Sequence, residues 1–347
     1  MRRLLLRSAR GALVRVRHVS AVRPAAARGQ VAAVYRQAER DFGAVAPPIA
    51  LHSPAPDVLA GAWAMLRETL LVGTVMGRTA KEAVATAVSE ANTCPYCVQI
   101  HGATLSGLRS DAPPDAAGDD GPVVAWLREG RRRPPGSGGG PPPCPPAAVP
   151  EMVGTAVAFH YLNRMVNVFL DDSPLPSASP PAARDAVLRM VTRALRARSA
   201  ESPAPGDSLA LLPEAPLPDD LAWAAATPHI GAAFARAAAV LEAAGARSTP
   251  VPVRSLVLAE LERWDGRPPG PVRTWLEERT RPLPTEARPA GRLALLTALA
   301  SYQVGPADID AVRATATGSA DRLLVELTSW VSFAAARRAG RRLAGLG

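Results

Sequence analysis

Lysine is all but missing from this chain: Lys81 is the single lysine in 347 residues, so a formal charge of +9 rests on arginine. The arginines are scattered rather than gathered into one stripe, a distribution that speaks against a nucleic-acid footprint, and no nucleic-acid partner is expected. Aromatic residues are also scarce, at 4% of a chain that is 48% hydrophobic. The apolar majority is Ala, Leu and Val, and unbranched side chains lose little rotamer freedom in a helix. An all-α fold is expected. No uninterrupted apolar run approaches the roughly 20 residues a membrane helix needs, and no small-residue cleavage site marks a secretory signal. A cytoplasmic protein without a membrane partner is expected. Acid is absent from the first 38 residues, so residues 1–37 read as a basic segment, either a targeting or membrane-surface stretch or a solvated N-terminus. With only three cysteines in a reducing compartment, a close pair points to catalysis or metal binding rather than a structural staple.

Proline and glycine divide the rest. Residues 111–150, with "RRRPPGSGGGPPPCPPAAVP", read as a long loop, because proline lacks the amide donor and glycine is costly to order. Residues 172–218 read as a second proline-rich linker holding one candidate helix, "PAARDAVLRMVTRALRARS". Between the breaks the pattern is helical. Leu59, Trp63, Leu66 and Leu70 recur at three- and four-residue intervals after a proline-flanked start at Ser53. Thr79 with Glu82 reads as a capping box opening "TAKEAVATAVSEAN". Val153, Val157, Tyr161, Met165 and Phe169 step by four along "PEMVGTAVAFHYLNRMVNVFL". Residues 38–171 thus form one helical domain and 219–347 a second helical region. Laying "ARPAGRLALLTALASYQVGPAD" beside "GRTAKEAVATAVSEANTCPYCV" gives the same helix–break–helix layout, with Arg292 near the place of Glu82 and neither cysteine nor histidine following. This suggests two pseudo-repeats, the C-terminal one degenerate and non-catalytic; two unrelated helical segments are the plainer alternative.

Chemistry concentrates in "TCPYCVQIHG", residues 93–102. C-P-Y-C matches a glutaredoxin motif, but that fold needs a buried strand leading into it, and "KEAVATAVSEAN" is an alanine-rich helix. Cys94, Cys97, His101 and Glu82 also form a donor set for a structural zinc, although zinc more often organises a domain that lacks a core. Helix geometry gives a third reading. Cys94 and Cys97 lie three apart on one face, with α-carbons roughly 5 Å apart, within reach of a disulfide. His101 follows Cys97 by four on the same side and can exchange protons near neutral pH, and Glu82 can orient it. Position near the helix N-terminus favours Cys94 as the low-pKa thiol, whereas the neighbouring base favours Cys97 for attack.

The full constellation, Glu82, eleven residues, Cys94, two, Cys97, three, His101, within "AVSEANTCPYCVQIHGATL", resembles the alkyl hydroperoxidase AhpD-like branch of the carboxymuconolactone decarboxylase superfamily. The resemblance covers about residues 38–110 and extends through "FHYLNRMVNVFL" to about 171. It implies an AhpD-like helical bundle, often oligomeric, that acts as a peroxidase: Cys97 peroxidatic, Cys94 resolving and open to an external disulfide partner, Glu82 and His101 a proton relay. Tyr96 stands where the best-studied members have a second histidine. The implied partners are a hydroperoxide substrate, a dithiol reductant of the lipoyl-adaptor or thioredoxin-like kind, and further copies of the chain; no cofactor is implied. A non-enzymatic helical protein with a zinc clip, or with an inert remnant of the site, is the alternative. Elsewhere, His160, Asn163 and Arg164 share one side of an apolar helix and read as pocket, interface or hydrogen-bonded core. Cys144 reads as incidental, and His18, His52 and His229 lack partners at useful spacing.

Overall fold

The computed structural model describes residues 16–111, 121–130, 142–174 and 202–345, and every regular element among them is helical. In the first half the helices longer than two turns are α1 (Gly29–Gln37), α2 (Pro56–Leu66), α3 (Arg78–Ala91), α4 (Pro95–Asp111), α5 (Gly121–Gly130) and α6 (Val149–Phe169). In the second half the α-helices are α7 (Pro228–Ser248), α8 (Val251–Arg263), α9 (Thr274–Thr280), α10 (Arg288–Ala300), α11 (Pro306–Arg313) and α12 (Ala320–Leu343). Proline opens α2, α4, α7 and α11, where its missing N–H costs nothing and its fixed φ suits the first turn.

The centre of the molecule is α6, packed by α12, α3 and α2. Val153, Val157, Tyr161, Met165 and Phe169 are buried as their spacing predicts, and so is the opposite face, with Glu151, Thr155, Asn163 and Arg164. Burying each large apolar side chain in such a position contributes about 1.5–3 kcal/mol. Helix α2 lies against α7, and α12 against both α6 and α10. Helix α7 also packs on α12, and Gly245 allows that approach, since a Cβ there would collide with the Trp330 ring. Leu59, Trp63, Leu66 and Leu70 are all buried, although α2 begins at Pro56 rather than Ser53.

Two expectations require correction. Residues 111–150 are not loop throughout: Gly121–Gly130 is helical, with Pro122 in its first turn and Val123, Trp126 and Leu127 giving a buried stripe against α3. The stretch was obscured by its surroundings, because a three-residue apolar stripe is too short to outweigh flanking proline and glycine. Thr79 does not cap α3, which starts at Arg78 after Gly77 and has no side-chain cap. The candidate helix of the second proline-rich stretch lies outside the described residues. Among the described residues no helix is long and apolar enough to cross a membrane.

Lys81 is fully buried, beside α6. It donates to Val72 O at 2.5 Å and pairs with Glu151 in the first turn of α6. The Glu151 carboxylate also accepts from Val75 N at 2.7 Å, from Met76 N at 3.3 Å and from the Thr74 hydroxyl. One buried ion pair therefore ties the 72–77 loop, the start of α3 and the start of α6 together.

His52 is another buried polar group, stacked on Tyr161 with ring centroids 5.6 Å apart. Burial lowers its pKa to about 4 from 6.5. As the pH falls below 6.5 the unfolded chain takes up a proton that the folded chain refuses, so stability falls by about 1.4 kcal/mol per unit until pH 4, about 3 kcal/mol in all. Denaturant unfolding of His52→Phe across this range is expected to show a shallower slope by one proton; the same slope in variant and wild type would remove His52 as the cause.

Candidate active site

The turn between α3 and α4 places the sulfurs. Helix α3 ends on Asn92, Thr93 turns the chain with φ 51°, and Cys94 N donates to Ser89 O at 3.0 Å. A left-handed β-branched residue costs of order 1–3 kcal/mol and persists only where its surroundings over-determine it. Here α6 does so: the Asn92 side-chain amide donates to Asn163 Oδ1 at 3.0 Å, Arg164 donates to Asn92 Oδ1 at 3.3 Å, and Asn167 donates to Asn92 O at 3.1 Å. His160 Nδ1 lies 3.1 Å from the same amide. His160, Asn163 and Arg164 thus form a hydrogen-bonded brace behind the turn, rather than a wall of the sulfur site.

Cys94 and Cys97 are both free thiols, with Cys94 donating to the Cys97 sulfur at 2.9 Å. A disulfide needs only a small closing movement from there. Cys94 is 1% exposed and Cys97 4%. Burial, followed by the neighbouring Cys97, pushes the Cys94 thiol well above its ordinary pKa. Burial of this sulfur works against the helix-end argument that favours Cys94 as the thiolate.

Glu82 on α3 reaches across to His101 on α4, with Oε2 2.7 Å from Nδ1. Its other oxygen accepts from Arg78, one turn earlier, at 2.7 and 2.9 Å. Burial works against a charge on Glu82, yet His101 and Arg78 together hold its carboxyl below the ordinary range. A carboxylate in this state only accepts, so His101 Nδ1 donates to it and the Nε2 end of the ring points away from Glu82. The Phe159 ring meets the imidazole edge-on, with centroids 4.6 Å apart, and fixes its plane. Arg78 and Phe159 are the members that sequence reasoning missed. An arginine four residues before a glutamate on one helix was the available signal for the first.

Cys97 and His101 open on one cavity of about 90 Å³. Its walls are apolar: Ile49 and the prolines before it, Ile100, Phe159, Leu162 and Val166. Tyr96 lines it as well, and burial raises its phenol far above the usual range, which leaves a proton donor and no base. Cys94 is not part of the lining. Among the described residues no three His, Cys, Asp or Glu side chains converge where a metal could sit, so the zinc-clip donor set is not assembled.

No family model and no solved structure matches the chain. A curated relative does: the chain is 38% identical over 334 residues to "Alkyl hydroperoxide reductase Rv2159c" of Mycobacterium tuberculosis, a match covering 94% of each chain. That likeness runs through both halves, including the second half that carries no cysteine pair. The helical architecture, the Glu82–Cys94–Cys97–His101 constellation and this relative agree, and the chain belongs to the AhpD-like alkyl hydroperoxide reductase family.

Proposed function

We propose that the protein is a thiol-dependent peroxidase that reduces small organic hydroperoxides through a Cys97/Cys94 dithiol–disulfide cycle. The observation that carries this reading is that Cys97 and His101 share an apolar cavity while Cys94 lies in contact beneath Cys97. His101 Nε2 takes the Cys97 proton, and the thiolate attacks the outer peroxide oxygen. The O–O bond breaks, the alkoxide leaves as the alcohol with the proton His101 held, and Cys97 becomes a sulfenic acid. The Cys94 thiol then attacks that sulfur; its proton departs with the hydroxide as water, and a disulfide forms. A thiol held protonated suits this second step, since it stays out of the first. The apolar walls of the cavity favour the alkyl group of a small hydroperoxide.

A dithiol must restore the pair. With both sulfurs covered, a lipoyl group on its slender arm suits the cavity better than the broad face of a thioredoxin-like protein. The C-terminal half fits an inactive second copy: α3 and α10 both open on arginine and are both followed by a helix opening on proline, Pro95 and Pro306. Assembly with further copies and a cytoplasmic location belong to the same proposal.

Thiol titration tests it. One equivalent of hydroperoxide is expected to remove two thiols, dihydrolipoamide to return both, and Cys94→Ser to accumulate a sulfenic acid on Cys97 that dimedone traps. An inert remnant would lose no thiols under the same treatment. The relay has its own signature. Arg78 helps hold Glu82 charged as the pH falls, so Arg78→Met should move the acid limb of the peroxide-reduction profile to higher pH. An acid limb that stays in place would detach Arg78 from the relay.

A further inference from the structure

The two sulfurs are carried by different parts of the fold. Cys97 belongs to the first turn of α4, whereas Cys94 stands just before that helix and is placed by the end of α3. There Thr93 N donates to Glu90 O at 3.1 Å and Cys94 N to Ser89 O at 3.0 Å, with Thr93 in the left-handed region at φ 51°. This pair of bonds is a helix-ending motif that ordinarily has glycine in the left-handed position. Threonine does not take that conformation unaided, so the place of Cys94 relative to Cys97 depends on what holds the turn.

Part of that hold comes from the second half of the chain. Asn167, half-buried on α6, donates from one side-chain amide to two acceptors. One is Asn92 O at 3.1 Å, a helix-end carbonyl directly before Thr93, and the other is Ser301 Oγ at 2.9 Å, just past the end of α10. Arg164 makes a parallel link, donating to Asn92 Oδ1 at 3.3 Å and to Ala298 O on α10 at 3.0 Å. We propose that Asn167 is a positioning residue through which the C-terminal half holds Cys94 against Cys97, and so sets the speed and the equilibrium of disulfide formation. The inference rests on the dithiol–disulfide reading above. In the step concerned the S–S bond forms as the S–O bond of the Cys97 sulfenic acid breaks, and the Cys94 proton leaves with the hydroxide as water. Asn167 is not part of the cavity lining. Its effect lies in the effective concentration of one sulfur at the other. A half without cysteines of its own is thereby tied to the chemistry.

Two variants of the full-length protein test it. Asn167→Leu keeps the side-chain volume and removes both donations; Ser301→Ala removes only the acceptor in the second half. Equilibration with dithiothreitol of graded oxidation, without peroxide, reads the equilibrium. Asn167→Leu is expected to move it about tenfold toward the dithiol, a potential about 30 mV less negative, and Ser301→Ala to move it the same way by less. Stopped-flow mixing with hydroperoxide reads the speed: the sulfenic acid should form on Cys97 at the wild-type rate, and its conversion to the disulfide should slow roughly tenfold, as loss of two hydrogen bonds allows. A merely structural role would lower the folded fraction without moving the potential or separating the two phases. Ser301→Ala carries the test should Asn167→Leu fold poorly. A wild-type potential and resolution rate in the folded variant, or equal slowing of both phases, overturns the inference and leaves the peroxidase reading standing. A wild-type chain that forms no disulfide in these buffers removes the cycle itself, and the inference with it.

Discussion

Cys97→Ser is expected to bring peroxide reduction down to the uncatalysed background, a loss of at least about a thousandfold. The serine hydroxyl has the volume of the thiol to within one atom, so the cavity walls and the α3–α4 turn stay as they are. What disappears is an easily ionised, polarisable nucleophile, and no other sulfur takes its place. Cys94 lies outside the cavity lining and burial keeps it protonated. Cys144 sits in the segment before α6, in contact with Met152 at 3.9 Å. The comparison with Cys94→Ser separates roles: that variant should reduce close to one equivalent of peroxide rapidly and then stall. Stopped-flow measurement of a single turnover in both variants checks the assignment. Rapid single-turnover reduction by Cys97→Ser together with none by Cys94→Ser would exchange the two sulfurs.

Lys81→Met should be the most damaging single change to stability. Glu151 would be left fully buried with its charge uncompensated, and removing one partner of such a pair costs about 3–5 kcal/mol. Chemical denaturation is expected to show that loss. The double variant Lys81→Met with Glu151→Gln should recover a large part of it, because the stranded charge goes with the carboxylate. The Val75 amide, which donates to one carboxylate oxygen, would still find the glutamine oxygen, whereas Met76, which donates to the other, would lose its acceptor, so recovery is incomplete. If the double variant is no more stable than Lys81→Met alone, the cost lies in packing rather than in charge.

The sulfur site was legible because its chemistry is local. Cys94, Cys97 and His101 lie on consecutive turns of one helix, where spacing alone decides which side chains meet, and Glu82 stands on the neighbouring helix joined by a short turn. The central stripe of α6 was legible for the same reason. What spacing could not supply was long-range. The apolar lid from Ile49 and its prolines comes from a segment far upstream, and nothing in its sequence marks it as a wall. Glu82 read equally well as a cap or as a relay member; α3 has no side-chain cap, and Glu82 stands 2.7 Å from His101, a contact that spacing could not supply. The upward push on the Cys94 thiol comes from burial, which is a property of the packed molecule. The helix Gly121–Gly130 was hidden by its proline-rich neighbours.

The solitary lysine has a practical side. Because Lys81 is sealed between the 72–77 loop and α6, the native chain presents no side-chain amine to acylating reagents. Any such labelling beyond the α-amino group reports that this region has opened. A simple amine-reactive dye therefore becomes a clock for the breathing of the scaffold that carries the sulfurs.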